Sequence, residues 1–381
     1  MRTRTIQHGS TEHRVWQVIL YGGIAAVVLG IALTQPDYRM AQFSAVAAWS
    51  VALLGMNLII GYGGQMALGH SAFFGFGAYL TAILYADYGV SFVGTLPISA
   101  LAGAAIGFLL GLPALRISGL YLALVTLALA LAFPAIAKMD QLNTLTGGAN
   151  GKLAYIQWLP PTWLPFTVTS AAWVFLTLSA IAGVLFMLAS NAMRSRVGRA
   201  VVALRDNQIG AAVSGVHPAT WKTSTFAVSA AYASLAGSLM MLAVPIVTPD
   251  SGGFLVAVTL ITGMVIGGAG TISGAVIGGV AVVWLPELSK HWAGALPLVS
   301  DSDASALSTA VYGAVLIVVV FAMPGGIVAF LRRIRSRLAV VVPRVPAPPA
   351  AALVAVPAAA PSATRSDSSS AVSSAIEMER S

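Results

Sequence analysis

Long uncharged apolar runs, broken by brief polar stretches, make up most of this chain. Between Arg39 and Arg116 the only Asp, Glu, Lys or Arg is Asp87; between Lys152 and Arg194 there is none; between Lys222 and Glu287 there is only Asp250. A run of about 18 or more such residues is long enough for a helix to cross the hydrocarbon core of a bilayer. The pattern predicts ten spans, at roughly 16–34, 42–60, 66–85, 92–112, 119–137, 165–189, 223–244, 254–268, 272–286 and 306–324. The expected fold is an all-α polytopic membrane protein with about ten transmembrane helices.

The first span follows Arg2, Arg4 and Arg14, which resembles the basic start of a signal peptide. Its apolar core is too long for one, and no small-x-small cleavage site precedes Gln35-Pro36-Asp37, so it reads as an uncleaved first helix. The chain then divides into a short N-terminus (1–15), a membrane domain (16–325) and a Pro/Ala- then Ser-rich tail (338–381). The tail lacks the large apolar residues needed to bury a core and is expected to be disordered.

Charge sets the orientation. With the N-terminus inside and ten alternating spans, all of the 20 Lys and Arg fall inside except Arg39, Lys138, Lys152 and Lys290. Asp37, Asp87, Asp140, Asp250, Glu287, Asp301 and Asp303 fall outside. Lys and Arg accumulate in cytoplasmic loops, so both termini are expected in the cytoplasm. The net charge of +8 is then a signal of topology, not of nucleic-acid binding.

Glycine patterns the spans. Gly103, Gly107 and Gly111 share one helix face, as do Gly270, Gly274 and Gly278; such faces suit close helix packing within one subunit, a pore lining or a subunit interface. Spans 254–268 and 272–286 are short and joined only by Ala269-Gly270-Thr271. A similar texture, Gly61-Tyr62-Gly63-Gly64-Gln65, comes just before a span that carries His70, and the two segments read as a weak internal repeat. Gly-interrupted helices often mark a transporter's substrate path, which makes Gly63, Gly64, Gln65, His70, Gly268 and Gly270 candidates to line one.

Much chemistry is missing. The chain has no cysteine, no G-x-x-x-x-G-K-[ST] phosphate loop, and no His/Asp/Glu cluster with metal spacing. No span carries an internal Asp or Glu of the kind that ion-driven carriers use as relays. His70 is the one ionisable side chain well inside a span, where a neutral hydrogen-bonding role competes with proton relay. A transporter without an ion-coupling site or an ATPase motif needs energy from a partner. Residues 194–222 offer a surface for one: Val197, Val201, Val202 and Leu204 form an apolar stripe, Arg194, Arg196, Arg199 and Arg205 cover other faces, and Gly215 with Pro218 ends the helical pattern. Such a helix docks into a groove on a soluble partner or lies on anionic membrane lipid.

Several motifs add a resemblance. GYGGQMALGHSAFFGFGAYL (61–80), RISGLYLALVTLALA (116–130), LTGGANG (145–151), GRAVVALRDNQIGAAVSGVHPATWKTSTFAVSAAYASLAGSL (198–239) and GGAGTISGAVIGG (267–279) resemble, in order, the permeases of branched-chain amino-acid ABC importers, of the LivM and LivH type and closer to LivM. The resemblance covers about 45–325. It implies a multi-pass subunit of the bacterial cytoplasmic (inner) membrane, paired with a second permease as a heterodimer. It also implies two ATPase subunits that carry ATP and Mg, and an extracytoplasmic solute-binding protein. This chain would hold no cofactor and perform no catalysis.

The same resemblance makes 194–222 a cytoplasmic coupling loop. Within it Arg205, Asp206, Asn207, Ala211, Ala212 and Gly215 would contact the ATPase: Asp206 through a polar contact, the two alanines through close packing, Gly215 by setting a turn. Family members often carry two acids where this chain has Asp206-Asn207-Gln208, so one charge is missing. The implied cargo is a branched-chain or other small hydrophobic amino acid. Urea or short amides are an alternative cargo for the same machine, and a standalone channel or ion-coupled carrier is the alternative mechanism.

Overall fold

The computed structural model describes residues 4–7, 11–117, 119–161, 168–294, 313–314, 317–318, 321, 325–336 and 339–342. Every expected span before residue 290 is occupied by a helix. In chain order these are α1 (Thr11–Thr34), α2 (Asp37–Met56), α3 (His70–Ala86), α4 (Phe92–Gly111), α5 (Leu120–Ala137), the single turn α6 (Asn143–Thr146), α7 (Ser170–Arg194), the loop helices α8 (Arg196–Asp206) and α9 (Gln208–Val213), then α10 (Pro218–Ala243), α11 (Phe254–Gly267) and α12 (Ile272–Gly294). A helix at Gly326–Ser336 follows. Of the tenth expected span, residues 313, 314, 317, 318 and 321 are helical and the others lie outside the described residues. Six helices among those described are long and apolar enough to cross a membrane. The chain is an all-α polytopic membrane protein.

Some boundaries differ from the hydropathy reading, each for a local reason. α7 starts at Ser170, not 165, because the Thr169 hydroxyl caps it by accepting from the Ala172 amide at 3.3 Å. α3 starts at His70, after an irregular stretch that follows Gly63. α10 starts at Pro218, a residue suited to the first helical turn, where its missing N–H costs no hydrogen bond.

α10 is the centre of the bundle and packs on α2, α3 and α4. Its inner surface is built of small residues, with Ser229, Ala230, Ala233, Ser234, Ala236 and Ser238 all buried. A Cβ on Gly77 of α3 would run into the Ser234 backbone, and one on Gly237 into the Phe74 carbonyl. Gly103, Gly107 and Gly111 of α4 face α10, against Ser234, Ala230 and Phe226 in turn. The stripe is therefore helix packing within one chain. Backbones that close leave serine as the bridging group: Ser234 Oγ donates to the Ser99 carbonyl at 2.9 Å, and Ser238 Oγ donates to Ser99 Oγ at 2.7 Å.

The loops gather at two ends of the bundle. At one, Thr169 donates to Asp37 at 2.7 Å, Lys152 Nζ reaches both Asp87 oxygens at 2.7 Å, Lys138 approaches Asp250 at 3.9 Å, and Lys152–Leu153 pairs with Ile246–Val247. At the other lie the glycine segments, α8, α9 and the start of the Gly326–Ser336 helix. This is the alternation that the charge pattern predicts. A parallel ladder also pairs Arg4–Gln7 with Ala339–Val342, so the first few residues of the expected tail are strand. The tail beyond 342 lies outside the described residues.

Candidate functional site

The basic loop is two helices, not one. Ser195 caps α8 by accepting from the Val197 amide at 3.1 Å. Asn207 then adopts extended backbone and caps α9, accepting from the Gly210 amide at 2.9 Å through Oδ1. Gly215, at φ +86°, follows α9 and turns the chain toward Pro218. The break at Asn207 decides what the loop shows to solvent. Half of the α8 stripe turns inward, with Val201 and Leu204 buried against the rest of the chain, while Val197 stays 42% exposed. α9 buries Ala211 and exposes Ala212, while Ile209 stands 79% exposed and Val213 85% exposed. Nothing in a continuous-helix reading pointed to Ile209 or Val213.

Arg205 and Asp206 also differ from the expected pattern. Arg205 turns back toward the bundle and donates from Nη1 to the Gly61 carbonyl at 2.9 Å. Its Nε donates to Asp206 Oδ1 at 2.9 Å, so Asp206 holds Arg205 in place. The aliphatic part of Arg205 covers Gly64, which sits at φ +64° and has no room for a Cβ.

Gly61 belongs to the last turn of α2, which loosens into a π-helical turn at Asn57–Tyr62. Helix ends leave carbonyls without partners inside the helix and concentrate negative dipole there, so a guanidinium is favourable at this place. Asn57 opens the same turn and is buried. Its Nδ2 donates to the Thr271 carbonyl at 2.7 Å, and its Oδ1 accepts from the Gly270 amide at 2.7 Å. The two glycine segments suspected of being a repeat thus touch. Gly268 and Gly270 take φ +110° and +74° between α11 and α12, and Gly326 closes against Gly268. α11, at 14 residues, is about 21 Å long, short of the roughly 30 Å hydrocarbon core.

A cavity of about 210 Å³ opens beside this crossing, with Gly63, Gly64, Gln65, Gly119, Arg205 and Lys222 in its wall. Gln65 Nε2 donates to the Lys222 carbonyl at 3.4 Å, while the buried Oε1 has no partner among the described residues. Lys222 Nζ donates to Gln208 Oε1 at 2.8 Å. The structure therefore brings Gly63, Gly64, Gln65 and Arg205 together at the cavity, and sets Gly268 and Gly270 just across Asn57 from it.

His70 is not in that cavity. It is 1% exposed, between α3, α10 and α2. Its Nε2 lies 2.6 Å from Ser229 Oγ, which itself donates to the Gly55 carbonyl at 2.6 Å. A hydroxyl has one proton, so Ser229 accepts from His70, which assigns the ring proton to Nε2. The group ties three helices together. Among the described residues, no three His, Cys, Asp or Glu side chains gather where a metal ion could sit.

A family model described as the permease component of the branched-chain amino acid transport system matches residues 38–320. The chain belongs to this family. It is a transporter component, and its multi-pass helices place it in a membrane. Two curated relatives, the high-affinity branched-chain amino acid transport system permease protein LivM of Escherichia coli (strain K12) and that of Salmonella typhimurium (strain LT2), are each 34% identical over 265 residues. That alignment covers 63% of this chain and 60% of either relative, so the chain spans less than two thirds of their length. No solved structure matches. The matched region holds both glycine segments, the cavity wall and the whole α8–α9 loop of this permease-family member.

Proposed function

We propose that this chain is the membrane subunit of an ABC importer for branched-chain or other small hydrophobic amino acids. Its N- and C-termini and the α8–α9 loop face the cytoplasm of a bacterial cell, across the inner membrane. It pairs with a second permease subunit, which completes the pore. Two ATPase subunits, which hold the ATP and Mg, dock on the loop, and a solute-binding protein delivers cargo at the opposite face.

One observation carries the reading beyond family membership. α9 presents Ile209 and Val213 almost fully to solvent, while Val201 and Leu204 of α8 are buried in the chain's own core. A short helix with two naked apolar side chains on a basic loop suits a hydrophobic groove on a protein partner. The large outward residues of α4 and α5, among them Leu101, Leu109, Leu120, Tyr121 and Leu124, suit lipid tails or the second permease. The family match lends no support to a standalone channel.

The test is co-purification followed by reconstitution. A tagged copy should capture an ATPase subunit, and liposomes holding this chain alone should pass no amino acid. Flux through the chain alone, with no ATPase captured, would replace the importer reading by a channel or carrier.

A further inference from the structure

We propose that Arg205 and Asn57 are positioning residues that connect the α8–α9 loop to the α11–α12 join, so that movement of the loop displaces the broken helix. The proposal rests on the reading of α9 as the ATPase docking segment.

The connection has three steps. The last turn of α8 carries Arg205, whose Nη1 donates to the Gly61 carbonyl at 2.9 Å. Gly61 shares the π-helical turn Asn57–Tyr62 with Asn57. Asn57 then holds the join by both ends of its amide, donating to Thr271 O and accepting from Gly270 N, each at 2.7 Å. The polar partners at the two ends of this route are main-chain atoms, so a shift at one end moves backbone at the other.

The surroundings keep the route tight. Asp206 fixes the guanidinium from one side, and Gly64 lies against the Arg205 stem from the other. Glycine is the only residue type that fits at Gly61, since a Cβ there would overlap Asn57 Oδ1 and the Gly270 amide. At the far end of the join Gly326 packs on Gly268, which carries the contact onward to the basic helix Gly326–Ser336. A π-helical turn suits such a route, because its widened hydrogen-bond register is common at functional sites. Asn57 is buried with both amide groups satisfied, so the half of the route that holds the join is preformed.

The experiment uses the whole transporter, purified through a tag on this chain and reconstituted in liposomes. ATP hydrolysis and uptake of leucine are measured per assembled complex, so that any loss of yield divides out. Arg205→Ala and Asn57→Ala should each still capture the ATPase. Each should raise the ATP hydrolysed per leucine carried by about tenfold, the size of an ordinary coupling between sites. Arg205→Lys, which keeps a donor for Gly61, should recover part of the loss. Arg205→Ala combined with Asn57→Ala should do no more damage than the worse single change, because both cut one route.

A normal ATP-to-leucine ratio in either alanine variant would overturn the link. Losses that multiply in the double variant would overturn it too, by giving the residues separate roles. If Arg205→Ala abolishes ATPase capture, Arg205 is a docking contact and the link falls. If the unaltered chain captures no ATPase, the docking reading itself fails, and the link with it.

Discussion

Asn57 and Gly270 stand 213 positions apart and meet through a 2.7 Å hydrogen bond from the Gly270 amide to Asn57 Oδ1. That single contact joins the end of α2 to the break between α11 and α12. It also accounts for one glycine in each segment: a Cβ on Gly61 would overlap Asn57 Oδ1 and the Gly270 amide, and Gly270 itself takes φ +74° to present that amide.

Ala212→Arg should abolish ATPase capture without affecting membrane insertion, since Ala212 is exposed beside Val213 on α9. Val213→Asp should do the same. A charge buried without a partner in such a contact costs on the order of a few kcal/mol. Attachment of α9 to anionic lipid predicts the reverse for Ala212→Arg, because an added cation strengthens it. Capture assays on the two variants decide the matter.

Gly64→Leu and Gly270→Leu should lower uptake by about tenfold or more while membrane abundance falls far less. Both glycines hold positive φ, and Gly64 also meets the Arg205 side chain; a branched residue there is strained by about 1 kcal/mol or more even before the clash. Uptake assays read against immunoblots would test this. Parallel loss of both quantities would reduce these glycines to simple packing.

His70→Ala should lower the melting temperature of the purified protein and leave the pH profile of uptake unchanged. The variant removes the donor to Ser229 Oγ, which keeps its bond to the Gly55 carbonyl, and opens a cavity between three helices; the lost bond alone costs about 1 kcal/mol. A shifted pH profile would instead make His70 a proton relay.

The chain has no cysteine, so single-cysteine labelling is clean. Cysteine at Ser195 should react only with reagent on the cytoplasmic side, and cysteine at Ser251, beside the Lys138–Asp250 pair, only from outside. Labelling of both from one side would refute the orientation.

The spans were legible because a helix in lipid must be apolar over its whole length, and the loops because Lys and Arg sort between the two faces. The nearness of the two glycine segments was visible only as likeness of texture. Asn57 was not legible at all: its partners are main-chain atoms more than two hundred residues away, and a lone Asn at a span's end has many duller uses. Ile209 and Val213 were hidden by the assumption of one continuous helix. The clue was Asn207, a residue type that starts helices as readily as it interrupts them, and one whose cap changes which side of the next turn faces out. The inward turn of Arg205 needed the structure, since its neighbours in sequence are those of an ordinary solvated arginine.

The serine- and glycine-lined faces of α10 limit where this protein can deform. With main chain against main chain at Gly77 and Gly237, and only the short side chains of Ser234 and Ala230 against Gly103 and Gly107, there is little side-chain cushion to absorb sliding. α3, α4 and α10 are therefore expected to act as a stator, a fixed frame on which other parts ride. For the proposed importer, alternating access is expected in what hangs from that frame: the short α11, the α11–α12 join and the outward-facing α5. Distance probes placed between α4 and α10 should stay silent through the transport cycle, while the same probes across the join report it.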